Sequence, residues 1–331
     1  MTDSIAPTPK RISVALCTYN GERFLSAQLE SFAAQTRLPD ELVACDDGST
    51  DGTLSILRDF AKRAPFPVRI ERNPATLRST KNFEKAILLC QGDLIATSDQ
   101  DDVWLPEKLA LSEAEFVRNE RVGLVFTNAE LVDEDSRATG SRLWDAIHFS
   151  RAARRRVRDG RAFEVLLRQW LVTGATMMFR ADLREFVLPI PENWIHDAWI
   201  SFLVGAMAPF AGVERSTILY RQHPTQQIGA KKLTWKEIYR LAREQGPEYF
   251  RLEHDRFILA RARLGRLSAR LEDPRFLALV ERKIVHQARR LAIAESPSRP
   301  RRILWGLGEL LRGGYSRFSP RWSHVIQDVF L

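Results

Sequence analysis

Residues 12–21 read ISVALCTYNG, an apolar run of strand length, Ile12–Cys17, that ends in the polar cluster Thr18-Tyr19-Asn20-Gly21. The pattern recurs twice. Leu42–Cys45 runs into Asp46-Asp47-Gly48-Ser49, and Leu94–Thr97 runs into Ser98-Asp99-Gln100-Asp101-Asp102. Between these runs Leu25, Leu29, Phe32 and Ala33 recur at helical spacing before Pro39, and Leu54, Leu57, Phe60, Ala61 and Ala64 do so before Pro65 and Pro67. Val68–Ile70 predicts a third strand, Phe83–Cys90 a helix and Val122–Phe126 a fifth strand. Strand and helix alternating in this way predict an α/β fold built on a doubly wound, mostly parallel sheet. Ligands of such sheets bind outside the carboxyl ends of the strands, so the three polar clusters should meet at one crevice.

The rest of the chain has a different character. Residues 1–225 carry 28 Lys and Arg against 31 Asp and Glu, a balance of −3, whereas residues 226–331 carry 22 against 11, a balance of +11. Trp235–Arg243, Tyr249–Leu271, Phe276–Ala294 and Arg302–Arg312 are helical in propensity, broken by Gly246–Pro247 and Pro274. The expected organisation is a catalytic domain over residues 11–225 and a basic helical region over 226–331. Nucleic acid is not expected as a partner, because the tail lacks zinc-finger spacing, an aromatic RNA-binding signature and a basic zipper. An anionic membrane surface suits its charge better, although arginines on solvated helix faces would give the same composition.

The longest charge-free apolar stretch, Ala198–Val213, is shorter than the ~20 residues of a bilayer span and contains Gly205 and Pro209. Met1–Lys10 is short and polar, which predicts a cytoplasmic protein, peripheral on the membrane where the tail engages it. Cys17, Cys45 and Cys90 have no metal-ligand spacing and sit in apolar runs, as small hydrophobes do.

Carboxylates gathered at a pocket repel one another unless a cation or hydrogen-bond donors offset them. A hard divalent ion, Mg²⁺ or Mn²⁺, is the natural counterpart, held by one or two carboxylates and by substrate phosphates, so a nucleoside diphosphate fits the crevice. Asp46–Ser49 also reads as a plain turn, and Asp197 as a cap for the helix that follows it. His223 would close a metal site or sit on the surface before Pro224, with Arg221 near enough in sequence to meet phosphate charge. Trp104, Trp194 and Trp199 would stack on sugar rings or, as most tryptophans do, fill core.

In order, Ser13–Gly21, Asp46–Thr53 and the SDQDDVW string at 98–104 resemble the signatures of family-2 glycosyltransferases with the GT-A fold. SDQDDVW, with Trp194–Trp199 and Tyr220–His223, resembles the bacterial rhamnosyltransferase-like branch, and the likeness runs from residue 11 to about 230. It implies a nucleobase and ribose pocket of Thr18, Tyr19, Asn20 and Asp47, with Asp46 beside them. It makes Asp99 and Asp101 a DxD motif, with Asp101 on the metal and Asp99 on ribose or diphosphate, and it matches Asp197 to the catalytic base and Gly174 to a backbone segment near the donor sugar. The implied reaction is inverting transfer from a dTDP- or UDP-linked sugar, L-rhamnose from dTDP-L-rhamnose foremost, to a saccharide or lipid-linked saccharide acceptor of cell-surface polysaccharide. Arg78 departs from the family, which often has Gly there. An aspartyl-phosphate phosphatase would also use an Asp-rich loop, but on its first core strand, and it leaves Asp46–Thr53 unexplained. A catalytically inactive scaffold on the same fold is the remaining rival.

Overall fold

The structure, a computed structural model, describes residues 10–223, 235–321 and 324–330. Within it the chain forms two compact units that interleave along the sequence rather than dividing at residue 225. The first contains the described residues up to Leu143, Val172–Glu192 and the stretch from Ala211; the second contains Trp144–Leu171, Asn193–Phe210 and the described residues from 235 onward.

The first unit holds the sheet. Its strands are β1 (Ile12–Thr18), β2 (Glu41–Asp46), β3 (Val68–Arg72), β4 (Leu94–Ser98), β5 (Val103–Trp104), β6 (Leu124–Val132), β7 (Ala138–Arg142), β8 (Met177–Arg180) and β9 (Phe210–Arg221), in the order β3-β2-β1-β4-β8-β6-β9-β5 with β7 on β6. Strands β3, β2, β1 and β4 pair in parallel, and β8, β6, β7, β5 and β9 enter antiparallel pairs. The helices α1 (Leu25–Ala33), α2 (Thr53–Ala61) and α3 (Arg78–Leu89) make the crossovers, and α4 (Lys108–Arg118) follows β5. Strands β1, β2 and β4 are buried along nearly their whole length, which explains why they read as apolar runs rather than alternations. Burial pushes the Cys45 thiol up to about 11 and the Cys90 thiol up to about 12, so both stay protonated hydrophobes.

The second unit is helical. Trp170, Trp194, Phe202 and Phe257 pack ring against ring, with centroids 5.3 Å apart for Trp170–Trp194 and 5.6 Å for Phe202–Phe257. This aromatic packing draws Trp144–Leu171 and Asn193–Phe210 out of the expected catalytic stretch into the helical unit. The helix Trp235–Arg266 bends at Gly246, whose φ of 55° and ψ of −155° only glycine adopts readily, just before Pro247. Helices Arg275–Glu295 and Arg299–Leu311 follow. The tail's arginines are not all solvated: Arg290 is buried, with Nε donating to Asp328 at 2.6 Å, and the Tyr315 hydroxyl donates to the same carboxylate at 2.7 Å.

Candidate active site

The carboxyl ends of β1, β2 and β4 interlock. The Gln100 side chain accepts from Tyr19 N at 2.8 Å and donates to Tyr19 O at 3.0 Å, clamping the β1 loop to the β4 loop. Asn20, left-handed at φ 48°, donates its N–H to Ser49 Oγ at 2.9 Å and accepts from Thr50 N at 2.9 Å, which ties β1 to β2. Gly21 makes the clamp possible, since a Cβ there would collide with the Gln100 amide.

Asp46 and Asp47 build loops. Asp46 is fully buried and accepts from Thr18 Oγ1 at 3.0 Å, Gly48 N at 3.2 Å, Ser49 N at 2.9 Å and Ser49 Oγ at 2.5 Å. The turn reading and the pocket reading of this segment therefore coexist, because the turn is what holds the loop at the strand end. Asp47 accepts from Asn73 Nδ2 at 2.8 Å, Leu77 N at 2.7 Å and Arg78 N at 2.8 Å. Arg78 stands at φ 65°, so the residue that departs from the family keeps the backbone conformation a glycine would supply, with its side chain exposed. Tyr19 and Asn20 are exposed at the same end of the sheet, whereas Thr18 is buried.

β9 brings a distant segment to the acidic loop by pairing with β5, Val103 opposite Leu219 and Trp104 opposite Ile218. His223 Nε2 thereby lies 2.8 Å from Asp101 Oδ2. Phe24 packs against the His223 ring at 5.2 Å and beneath the Arg221 guanidinium at 4.6 Å. Arg221 is not poised for phosphate: it is 4% exposed, its Nε donates to Asp101 O at 2.8 Å, and its Nη1 donates to Glu134 O at 2.7 Å and Ser136 Oγ at 2.9 Å. It is a brace that fixes the acidic loop against the β6–β7 turn. Phe24 does not stand out in the sequence, and Gln100 is marked there only as part of the SDQDDVW string, with no sign of its clamping role.

Asp99 and Asp101 are half-buried, while Asp102 is buried, accepts from Arg221 N at 3.0 Å and keeps a second oxygen without a partner. Burial, with Asp101 and Asp99 nearby, pushes the Asp102 carboxyl well above the usual range, so it tends to keep its proton. Behind it Lys108 is fully buried, its ammonium without a hydrogen-bond acceptor and 4.3 Å from the Trp104 ring centroid. Burial pushes Lys108 down to about 7.

Gly174 opens a short 3-10 turn before β8, and its carbonyl accepts from Thr97 Oγ1 on β4 at 2.6 Å, so this segment also reaches the β4 end. Asp197 belongs to the second unit, in the first turn of the helix His196–Met207, with Oδ1 accepting from Ala198 N at 2.6 Å. It is not the N-cap, a place taken by Ile195. The neighbouring His196 is buried, and burial lowers its proton affinity despite Asp197 beside it. Trp104, Trp194 and Trp199 are each buried, hence core. Among the described residues no three His, Cys, Asp or Glu side chains gather as a metal-binding group.

The family model described as Glycosyl transferase family 2 matches residues 13–184, more than half of the 331. The dTDP-rhamnosyl transferase RfbG of Shigella flexneri is 27% identical over 244 residues, 68% of this chain and 77% of RfbG. EpsE of Bacillus subtilis (strain 168) is 31% identical over 137 residues, 41% of this chain and 49% of EpsE, so the match spans about half of that relative's length. In fold, the chain is similar to residues 1–349 of S. aureus TarS, solved in complex with UDP-GlcNAc, with a TM-score of 0.54 at 16% identity over 95% of this chain and 90% of that one. The matched residues carry the β1, β2 and β4 loops whose interlocking is described above, and the α/β architecture is that of the GT-A fold; on these grounds the chain belongs to glycosyl transferase family 2.

Proposed function

We propose that the protein is an inverting hexosyltransferase that moves L-rhamnose from dTDP-L-rhamnose to a saccharide or lipid-linked saccharide acceptor during cell-surface polysaccharide assembly. The observation that carries the proposal is the pairing of Asp101 with His223 beside the interlocked strand ends. The rhamnose donor is favoured by the likeness to RfbG, which extends over 68% of the chain. In this assignment the exposed Tyr19 and Asn20 receive base and ribose, Thr18, Asp46 and Asp47 shape that pocket through their loops, and Asp99 and the Gly174 segment border the donor. In sequence, every residue given a part in donor binding or transfer here falls within 11–225, and 226–331 is the basic helical region, although the compact units do not follow that division.

Asp101 and His223 would hold a divalent ion, Mg²⁺ or Mn²⁺, a carboxylate and an imidazole being suited to a cation whose other ligands are phosphate oxygens. The chemistry such an ion would supply there is neutralisation of the charge on the departing nucleoside diphosphate. In this assignment Asp197 takes the proton of the acceptor hydroxyl as it attacks the anomeric carbon. Attack opposite the leaving group inverts the centre, so a β-linked donor gives an α-L-rhamnoside.

The protein would work peripherally on the inner face of the cytoplasmic membrane. No described helix is long and apolar enough to cross one. The helix Arg299–Leu311 instead exposes Leu304 by 68%, Leu307 by 50% and Leu311 by 88%, on one face, among Arg299, Arg301, Arg302 and Arg312.

A thermal-shift panel of dTDP-rhamnose, UDP-glucose, UDP-galactose and GDP-mannose with Mn²⁺, Mg²⁺ or EDTA tests the donor and the metal together. At ligand about 100-fold over Kd the native state gains about 2.7 kcal/mol, a shift of several degrees. The expected result is a metal-dependent shift with dTDP-rhamnose that Asp101→Ala abolishes. A shift with another donor alone removes the rhamnose assignment, and no shift with any donor removes the transferase assignment in favour of an inactive scaffold.

A further inference from the structure

The second unit contains a cavity of about 900 Å³ lined from three directions in sequence. The helix Arg151–Arg158 contributes Arg151, Arg154 and Arg156, the chain after the helix Ala162–Leu166 contributes Arg168 and Gln169, and the C-terminal segment contributes Arg321 and His324. Asp145 is the sole acid of its lining, and it is engaged by Arg154 at 3.2 Å. Arg154 is otherwise held in place, its Nε donating to Phe149 O at 2.9 Å and its guanidinium 5.1 Å from the Trp144 ring centroid. Arg151, Arg156, Arg168 and Arg321 have no carboxylate partner among the described residues.

That arrangement is electrostatically incomplete. Arginines on a solvated helix face point to water, but Arg156 and Arg168 are half-buried in the cavity wall, and burial and the Arg156 charge both work against the Arg168 cation. Gln169 Nε2 lies buried on the same wall with no acceptor, a donor whose desolvation nothing yet offsets. Converging forked guanidinium donors with an amide donor among them are the chemistry of phosphate recognition. The volume suits a ligand larger than one phosphate group, and Trp144, Phe149 and Val165 give the wall an apolar portion for whatever carries it.

We propose that this cavity binds a diphosphate-bearing anion, with Arg156 and Arg168 on the phosphate oxygens and Gln169 completing the donor set. Its residues lie wholly in the second unit and share none with the nucleotide-sugar site assigned above, so the two assignments fail separately. The diphosphate arrives either free or on a lipid carrier.

Equilibrium dialysis of radiolabelled inorganic pyrophosphate with the full chain, in EDTA so that metal-dependent donor binding is silent, tests the site. Saturable one-to-one binding is expected. Arg156→Gln/Arg168→Gln should weaken it about 100-fold, since two charge-assisted contacts are lost. Arg151→Gln, exposed and so harmless to folding, should weaken it about threefold through charge alone. Both variants should retain the metal-dependent nucleotide-sugar shift of the wild type, which also shows that they fold. In a parallel arm, co-sedimentation with phosphatidylcholine vesicles carrying a polyisoprenyl diphosphate, lost in the double variant, identifies a lipid-carried ligand; pyrophosphate binding without vesicle binding identifies a free one. Absence of saturable pyrophosphate binding, or binding equal in wild type and double variant, overturns the proposal. So does an equal response to vesicles of matched charge made with phosphatidylglycerol, which would reduce the cavity to general surface charge.

Discussion

Replacing Lys108 by methionine should stabilise the protein, and the gain should depend on pH in a fixed direction. The ammonium at the start of α4 is 0% exposed, donates to no hydrogen-bond acceptor, and is pushed by burial from 10.5 to about 7. Below pH 7 the folded and unfolded chains both carry the proton, and the folded state bears the whole cost of the buried charge, about 5 kcal/mol for such a displacement. Between pH 7 and 10.5 the unfolded chain still holds the proton and the folded chain has released it, so the unfolded state binds more protons and stability rises with pH. The Trp104 ring, 4.3 Å away, works against that cost and its cation contact is lost with the charge, so about 5 kcal/mol is the upper bound on what methionine recovers at pH 6. Methionine matches the length of the lysine stem, has equal helix propensity and keeps the ring contact. Urea unfolding at pH 6 and pH 9 is the assay. The midpoint should rise in Lys108→Met at pH 6, and the gap to wild type should shrink by more than half at pH 9. A variant less stable than wild type at pH 6, or a gap constant with pH, would refute the reasoning and show that the ammonium has a charge partner, Asp102 in its ionised form being the nearest candidate in the acidic loop.

Arg78 separates backbone strain from charge: Arg78→Gly should lie within about 0.5 kcal/mol of wild type, because relief of about 1 kcal/mol of left-handed strain is offset by glycine's chain entropy, while Arg78→Ala keeps the strain. Both should weaken donor binding alike in titrations if the exposed guanidinium meets the donor phosphates, and unchanged affinity in both would assign Arg78 to the loop alone. On the exposed helix face, Leu304→Asp/Leu311→Asp should abolish flotation with anionic vesicles without altering donor hydrolysis in solution, and undiminished flotation would remove this helix from the membrane contact.

Much of the site was legible in the sequence because its loops follow directly from buried strands. Apolar runs such as Ile12–Cys17 announce β1, β2 and β4, and the residues after each run must leave the sheet at the same end in a parallel array. The helical tail was legible from propensity and from its Gly246–Pro247 break. The antiparallel half of the sheet was not, since β5 is two residues long and β9 alternates only weakly between buried and exposed positions. Nor was the split into units, which follows from aromatic rings in Trp144–Leu171 and Asn193–Phe210 finding partners in helices beyond residue 235.

By itself, then, the sequence determined the α/β class, the strand ends that carry Asp46, Asp47, Asp99 and Asp101, and the excess positive charge of the tail, because each is a property of local pattern and composition. Tertiary structure alone decided that His223 meets Asp101 across 122 positions, that Arg221 braces the loop instead of facing phosphate, and that arginines of three chain segments, one of them near the C-terminus, line one cavity. The physical reason is common to all three. Contacts of this kind depend on which strand pairs with which and on which side chains lose their water, and neither leaves a mark on the residues nearby in sequence.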